Sequence, residues 1–258
     1  MTRAFEGGGF AIVGHRGGRT TPQDPEWPAE NTMPSFERAV AEGADAVELD
    51  VRLCESGEVV VLHDPDLSRA TGGRDTRAVR SVPYLELASM RLFGGEQGPP
   101  LLRDLLPFCV QRGVGLNVEI KYDDVDRGRL SRAVARELAR SSADVLVSSF
   151  DPRILLAMAS LAPRTPRALL TTSERRWSGF AARRVVSAPW LWAVHLERTQ
   201  AQPEMVGALK GRGLRVGVWT VDDASEARDL RALGVDWIVT DAPGRLRTEL
   251  GGVASARG

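Results

Sequence analysis

Cysteine is scarce in this chain: Cys54 and Cys109 are the only two, too few for a disulfide framework and without the spacing of a zinc site. Both read as small packing residues. There is no charge excess either, since 34 Lys and Arg balance 34 Asp and Glu. That balance argues against a nucleic-acid binder working through bulk positive charge. No apolar run approaches the length of a membrane span. Arg3 and Glu6 stand where a signal peptide would be apolar, and the short run from Phe10 to Val13 leads straight into a polar motif. The expectation is a cytoplasmic protein with no nucleic-acid partner and no stable membrane insertion, its oligomeric state left open. Histidine is nearly as rare, with three residues, and where those three stand is informative.

What is present is an alternation. With 258 residues, 43% hydrophobic and 26% charged, the chain can bury a sizeable core and lies in the range of α/β barrels that fold as one unit. Short apolar runs at 11–16, 46–51, 115–121, 145–150, 168–172, 193–197, 215–220 and 237–241 read as strands. Between them apolar residues recur at helical spacing, as in Met33/Phe36/Val40, Leu101/Leu105/Cys109, Leu130/Val134/Leu138, Met205/Leu209 and Ala227/Leu230/Leu233. Thr32 suits an N-cap, with Pro34 in the first turn. A ninth run, 59–64, follows the turn residues Glu55-Ser56-Gly57-Glu58 and reads as the return arm of a hairpin from the second strand. Eight parallel strands plus one hairpin predict a (β/α)8 TIM barrel as a single catalytic domain over 1–258, with a small insertion at about 65–100 and a mobile tail at 251–258. An open doubly wound sheet is the competitor, but no Gly-x-Gly-x-x-Gly opens the first βα turn.

Barrel active sites lie at the C-terminal ends of the strands, and ionisable residues fall there. Glu48 and Asp50 are two apart on one strand and so share a face, and Glu119 and Lys121 repeat the pattern on the next. Three converging acids form a hard oxygen site suited to Mg2+ or Ca2+, since buried acids so close together repel unless a cation or protons neutralise them. His15 is followed by Arg16-Gly17-Gly18, where glycines let the chain turn sharply and the guanidinium offers a planar fork to a phosphate. Strand alternation would send Arg16 away from His15 unless the chain turns there. His63 ends the hairpin, and two histidines on opposite sides of one bound group serve as general base and general acid. His195 reads as a barrel-interior residue without catalytic duty. Trp219 walls the pocket or caps the core, and Asp241 orients a neighbour or caps the next helix.

Taken in order, His15-Arg16-Gly17, Glu30-Asn31-Thr32, Glu48-Leu49-Asp50-Val51, the Gly57 turn, His63-Asp64 with Leu67 and Arg69, Glu119-Ile120-Lys121, Ser149-Phe150, Trp219-Thr220-Val221 and Thr240-Asp241 resemble the glycerophosphodiester phosphodiesterase family. The resemblance spans Ile12 to Pro243 and implies a (β/α)8 barrel with a small insertion after the His-Asp strand. It implies His15 and His63 as the acid/base pair, Glu48, Asp50 and Glu119 as ligands of a divalent cation, Arg16 and Lys121 as phosphate contacts, and Glu30 near the site. The implied reaction cleaves glycerophosphodiesters to glycerol 3-phosphate and an alcohol, the glycerol 2-hydroxyl attacking first to give a cyclic phosphate that water then opens. Three features depart from the pattern: a long 18–29 segment at the barrel mouth, Cys54 where threonine is usual, and Asp222 in place of asparagine. Two alternatives remain. One is a lysophospholipase D, whose apolar groove would need residues such as Trp27, Trp177 and Trp190. The other is a non-catalytic phosphodiester-binding protein.

Overall fold

The short apolar runs become strands of one closed sheet in the computed structural model, which describes residues 4–5, 7–95, 97–123, 127–173 and 187–251. Eight strands run parallel: β1 (Ala11–Gly14), β2 (Ala46–Leu53), β4 (Gly115–Ile120), β5 (Val145–Ser149), β6 (Arg167–Leu170), β7 (Ala193–Glu197), β8 (Arg215–Trp219) and β9 (Trp237–Thr240). Each pairs with its neighbour around the ring. Val13↔Ala46 and Gly14↔Val47 join β1 to β2, while Ala11↔Trp237 begins the β1–β9 ladder that completes closure. The barrel is the (β/α)8 architecture expected. β3 (Val59–Val61) pairs antiparallel with the end of β2, from Val51↔Val61 to Leu53↔Val59, so the hairpin reading also holds.

Helices α1 (Met33–Ala41), α3 (Leu102–Arg112), α4 (Arg127–Leu138), α5 (Pro152–Leu161), α6 (Pro203–Lys210), α7 (Ala224–Ala232) and α8 (Pro243–Glu249) surround the barrel, while α2 (Tyr84–Ser89) lies in the insertion. Thr32 caps α1 by accepting from the Ser35 N–H, and Pro34 stands in its first turn. The helices read from Met205/Leu209 and Ala227/Leu230/Leu233 both form, with one residue of each set off the buried face. Met205 and Leu233 are exposed, because the buried faces of α6 and α7 are made by Val206 with Leu209 and by Ala227 with Leu230. No described helix is long and apolar enough to cross a membrane. Residues 252–258, most of the expected tail, lie outside the described residues.

Three apolar clusters organise the interior. The largest lies between strands and helices, where outward residues such as Val47, Leu49 and Val51 meet Phe36, Leu105 and Val134. A second fills the barrel floor with Phe5, Ala11, Val13, Ala46, Leu146, Ala168, Ala193, Trp237 and Val239. Trp237 is its centre, edge-on to Phe5 at 5.3 Å and stacked on Trp192 at 6.0 Å. Gly217 makes room for it, since a Cβ there would lie 2.1 Å from the indole nitrogen. The third belongs to the hairpin and the 65–100 insertion: Cys54, Val60, Leu62, Leu67, Ala70, Val79, Val82, Leu87, Leu92 and Leu101.

Most strands stop one or two residues before the reading from sequence. β1 ends at Gly14, β4 at Ile120, β5 at Ser149, β6 at Leu170, β8 at Trp219 and β9 at Thr240. β2 instead runs on to Leu53, because its end is the first arm of the hairpin.

Candidate active site

The first turn decides where Arg16 goes. Residues His15–Gly17 form a single 3-10 turn in which Arg16 takes φ +53°, bringing its side chain back toward the barrel axis. Gly17 has φ +88°, and a Cβ there would lie 2.6 Å from Ser35 Oγ, so this turn needs glycine. The Arg16 N–H donates to Glu48 Oε2 at 2.9 Å, its Nη1 donates to Glu30 Oε1 at 2.8 Å, and its Nε lies 3.1 Å from Asp50 Oδ2. The turning chain that the role of Arg16 required is present.

Glu48, Asp50 and Glu119 come together as the period-2 spacing predicts. All three are buried, and each offers a carboxylate oxygen within 4.8 Å of the others. Lys121 spans two of them, with Nζ 2.7 Å from Glu119 Oε1 and 3.2 Å from Asp50 Oδ1. Asn31 fastens Asp50 further, its Nδ2 donating to Oδ2 at 2.9 Å. Burial and then the Asp50 charge push the Glu48 carboxyl well above the usual carboxylate range. Burial also works against an ionised Asp50, but Lys121 and Arg16 overcome it and hold that group far below. Buried, all-oxygen and holding one member that resists ionisation, the triad fits a hard divalent cation.

Each candidate histidine has its own carboxylate. His15 Nδ1 lies 2.6 Å from Asp241 Oδ1, and His63 Nδ1 lies 2.7 Å from Asp64 Oδ1. A carboxylate only accepts, so Nδ1 carries the proton in both rings, and Nε2 is the nitrogen left for a ligand. Burial would lower the His15 imidazole, but the Asp241 hydrogen bond and the Glu48 carboxylate outweigh it and raise the ring above its ordinary value. Of the two roles read for Asp241, the structure contains the orienting one. Asp222 braces it, with Oδ1 accepting from Asp241 N–H and Thr240 Oγ, each at 2.8 Å. The departure from asparagine at 222 is thus accommodated as a hydrogen-bond acceptor.

Glu30 lies beside the site and is surrounded by guanidinium groups. Oε1 accepts from Arg16 Nη1 and from Arg69 Nη2 at 2.7 Å, and Oε2 lies 2.9 Å from Arg19 Nε. Burial would raise its carboxyl, but Arg69 and Arg16 outweigh that and hold it at about 2. Arg69 also donates to Asp64 Oδ2 at 2.5 Å. A continuous chain of charged groups therefore runs Arg16–Glu30–Arg69–Asp64–His63. Both carboxylate oxygens of Glu30 thus face arginines from three segments.

His15, Arg16, Glu48, His63, Glu119 and Lys121 line one cavity of about 160 Å3, whose other walls are Asn117, Phe150, Leu170, His195, Trp219 and Val239. Trp219 walls this cavity, its Nε1 donating to the His195 carbonyl at 3.3 Å. Phe150 meets it edge-on at 5.5 Å and meets Tyr122 at 6.4 Å, an aromatic side to the mouth. His195 is buried and accepts from Trp237 Nε1 at 3.2 Å, and burial lowers its imidazole to about 3. Burial thus favours the neutral ring.

The 18–29 segment is fastened to α1. Trp27 is buried, donates to Ser35 Oγ at 3.0 Å and carries the Arg38 guanidinium 4.4 Å over its ring, while Arg38 also pairs with Asp24. Trp190 packs against the main core and its carbonyl accepts from Arg167 Nε at 2.8 Å. Neither tryptophan is among the residues lining the cavity, and Trp177 lies outside the described residues. Cys54 is buried in the hairpin cluster, its thiol 3.2 Å from Glu58 Oε2.

Reading by sequence missed Asn31, Phe150 as a wall, and Arg52, a buried guanidinium on the inward row of β2. Asn31 and Phe150 stand inside quoted motifs and could have been weighed. Arg52 carries no local signal beyond its parity with Glu48 and Asp50.

Comparison with known proteins gives consistent matches. The model of the glycerophosphoryl diester phosphodiesterase family matches residues 15–245. The Bacillus subtilis (strain 168) protein YhdW is 31% identical over 243 residues, covering 90% of this chain and 94% of its own. A glycerophosphodiester phosphodiesterase of Caldanaerobacter subterraneus subsp. tengcongensis is 27% identical over 248 residues, covering 90% and 94%. The crystal structure of glycerophosphodiester phosphodiesterase from Thermotoga maritima superposes with a TM-score of 0.75 at 26% identity, covering 93% of this chain and 97% of that one.

Proposed function

Since the chain belongs to the glycerophosphoryl diester phosphodiesterase family, we propose that it hydrolyses glycerophosphodiesters to glycerol 3-phosphate and an alcohol, with His15 and His63 as the acid/base pair. The observation that carries this reading is the pair of carboxylate-oriented imidazoles, each with Nδ1 tied off, lining one cavity with three buried acids.

Glu48, Asp50 and Glu119 would hold a divalent cation, Mg2+ or Ca2+, which when bound supplies positive charge to the phosphoryl oxygens. The chain supplies more of the same. The Lys121 ammonium has three donors, two of them directed at Glu119 and Asp50, which leaves one for a phosphate oxygen. The Arg16 fork keeps donors beyond its bond to Glu30 and presents them from the turned loop. These fixed charges need no reorganisation as negative charge builds during displacement. In the first step one imidazole takes the proton of the attacking glycerol 2-OH while the other, protonated, gives its proton to the departing alkoxide. In the second step the roles exchange: the ring left neutral takes the proton of the attacking water, and the first returns its proton to the glycerol 2-oxygen as the cyclic phosphate opens. Asp241 and Asp64 hold the rings in the tautomer this exchange needs. Glu30 keeps Arg16 and Arg69 in register, and Trp219 walls the substrate.

The test is a panel of glycerophosphocholine, glycerophosphoethanolamine and monoacyl lysophosphatidylcholine, each assayed with Mg2+, Ca2+ or chelator. Metal-dependent release of glycerol 3-phosphate from the deacylated diesters is expected, with losses of about 10²–10⁴-fold in His15→Ala and His63→Ala. Near-wild-type turnover by either folded, metal-loaded variant would sink the acid/base assignment. Faster turnover of the lysolipid would replace the substrate reading with lysophospholipase D, and metal-dependent binding without turnover would replace it with a binding protein.

A further inference from the structure

We infer that Arg52 is a positioning residue: its guanidinium staples the chain segment carrying His63 to the segment carrying Lys121, and turnover depends on that staple. This rests on the proposed roles of His63 and Lys121. Arg52 continues the inward row of β2 after Glu48 and Asp50, and it is 2% exposed. A guanidinium so deeply buried must have its donors received. Nε donates to the His63 carbonyl at 2.8 Å, and Nη1 donates to the Asp123 carbonyl at 3.2 Å. Nη2 donates to both Asp123 carboxylate oxygens, at 3.1 and 3.0 Å.

The topology explains why a staple is needed here. β2 stands between β3 and β4 in the sheet. The β2–β3 ladder ends at Val61, and one more backbone bond, Leu62 N–H to the Asp50 carbonyl at 3.0 Å, precedes His63. On the other side β4 ends at Ile120, and Lys121 N–H reaches the Val51 carbonyl only at 3.4 Å. Both segments therefore leave the sheet just before their functional side chains, and Arg52 reaches across from the middle strand to hold them. Its planar fork serves acceptors on two segments at once, which a point charge on a lysine stem does not reproduce. A displacement of about 1 Å of an acid/base group costs about 10²-fold in rate.

The first variant is Arg52→Lys, assayed on glycerophosphocholine with saturating Mg2+. The expected result is a kcat lower by about 10²-fold, with Tm and Mg2+ affinity, measured by titration calorimetry, close to wild type. Unchanged kcat in the folded variant overturns the inference. So does a loss of Mg2+ affinity as large as the loss of kcat, because the effect would then run through the neighbouring Asp50. Arg52→Ala is expected to recover kcat with added methylguanidinium, and a folded Arg52→Ala that stays inactive with it counts against the staple. If both Arg52 variants fail to fold, Asp123→Ala decides: it frees the fork at one end, a kcat loss of about 10-fold supports the inference, and no change overturns it. His63→Ala in the same assay separates the two levels of argument. If it keeps turnover, the acid/base reading falls and takes this inference with it. If it is inactive while the Arg52 variants are not, only the staple falls.

Discussion

Below His195 the barrel interior holds Phe5, Ala46, Leu146, Ala193 and Trp237; above it come Glu48, Asp50, Glu119, Lys121 and Arg52. The same strands supply both halves. β2 contributes Ala46 to the floor and three charged residues above it, and β7 contributes Ala193 below and Glu197 above. The small residues of the lower half leave space for one large indole, which closes the floor. In the upper half each charge has a specific partner, and an unpartnered buried charge there would be costly. The apolar floor serves the charged layer, because ion pairs and oriented imidazoles strengthen where water cannot approach from beneath. His195 marks the boundary: its imidazole faces the cavity yet is held neutral.

The largest expected contrast comes from removing one upper carboxylate. Glu48→Gln is expected to lose at least about 10²-fold in turnover, while the metal-free protein keeps its Tm or gains, because the replaced group resists ionisation in the fold. Steady-state assay and calorimetry of the metal-free protein check both halves, and a marked fall in Tm would show that the charged layer is structural. Trp237→Ala should reverse the pattern. It opens a cavity in the floor and costs about 3–5 kcal/mol by denaturant unfolding, while the folded fraction retains Mg2+ binding. Loss of Mg2+ binding at low temperature would mean the two halves are not separable.

The boundary residue gives a smaller, pH-dependent effect. Burial keeps the His195 ring near 3 in the fold against an ordinary 6.5, so the unfolded chain takes up a proton first as pH falls. Its contribution to stability is complete above about 6.5 and is lost progressively toward 3. Between pH 7 and pH 4.5 the loss from this group is about 2–3 kcal/mol. His195→Gln should flatten the acid side of the stability profile by about that amount, and an unchanged acid slope would place the ring in a wetter environment than its contacts imply.

The residues that sequence reveals and those it conceals differ in range. Glu48, Asp50, Glu119 and Lys121 stand at period-2 positions within apolar runs, so local parity places them together. The barrel follows from the strand–helix alternation, and the hairpin from a run that did not fit eight strands. Arg16 needed a left-handed turn, which its glycine neighbours announced. Arg52, Asn31 and Asp241 are different. Their partners lie at His63 and Asp123, at Asp50, and at His15, and the pairing emerges only once the sheet closes. The motif puts Glu30 near the site, but the convergence of Arg19 and Arg69 on it from separate segments emerges only in the fold. Parity is local; partnership is topological.

The hairpin and insertion pack Val60, Leu62, Leu67, Leu87 and Leu101 into a cluster separate from the main core. A unit with its own small core opens on its own free-energy scale. Half of the proposed acid/base pair, His63, therefore follows directly on this module, while the three carboxylates rest on the barrel. Warming should consequently silence the protein in two stages, turnover fading while circular dichroism still reports an intact barrel. Cooling within the first stage should restore activity, because the barrel is the template on which the module refolds.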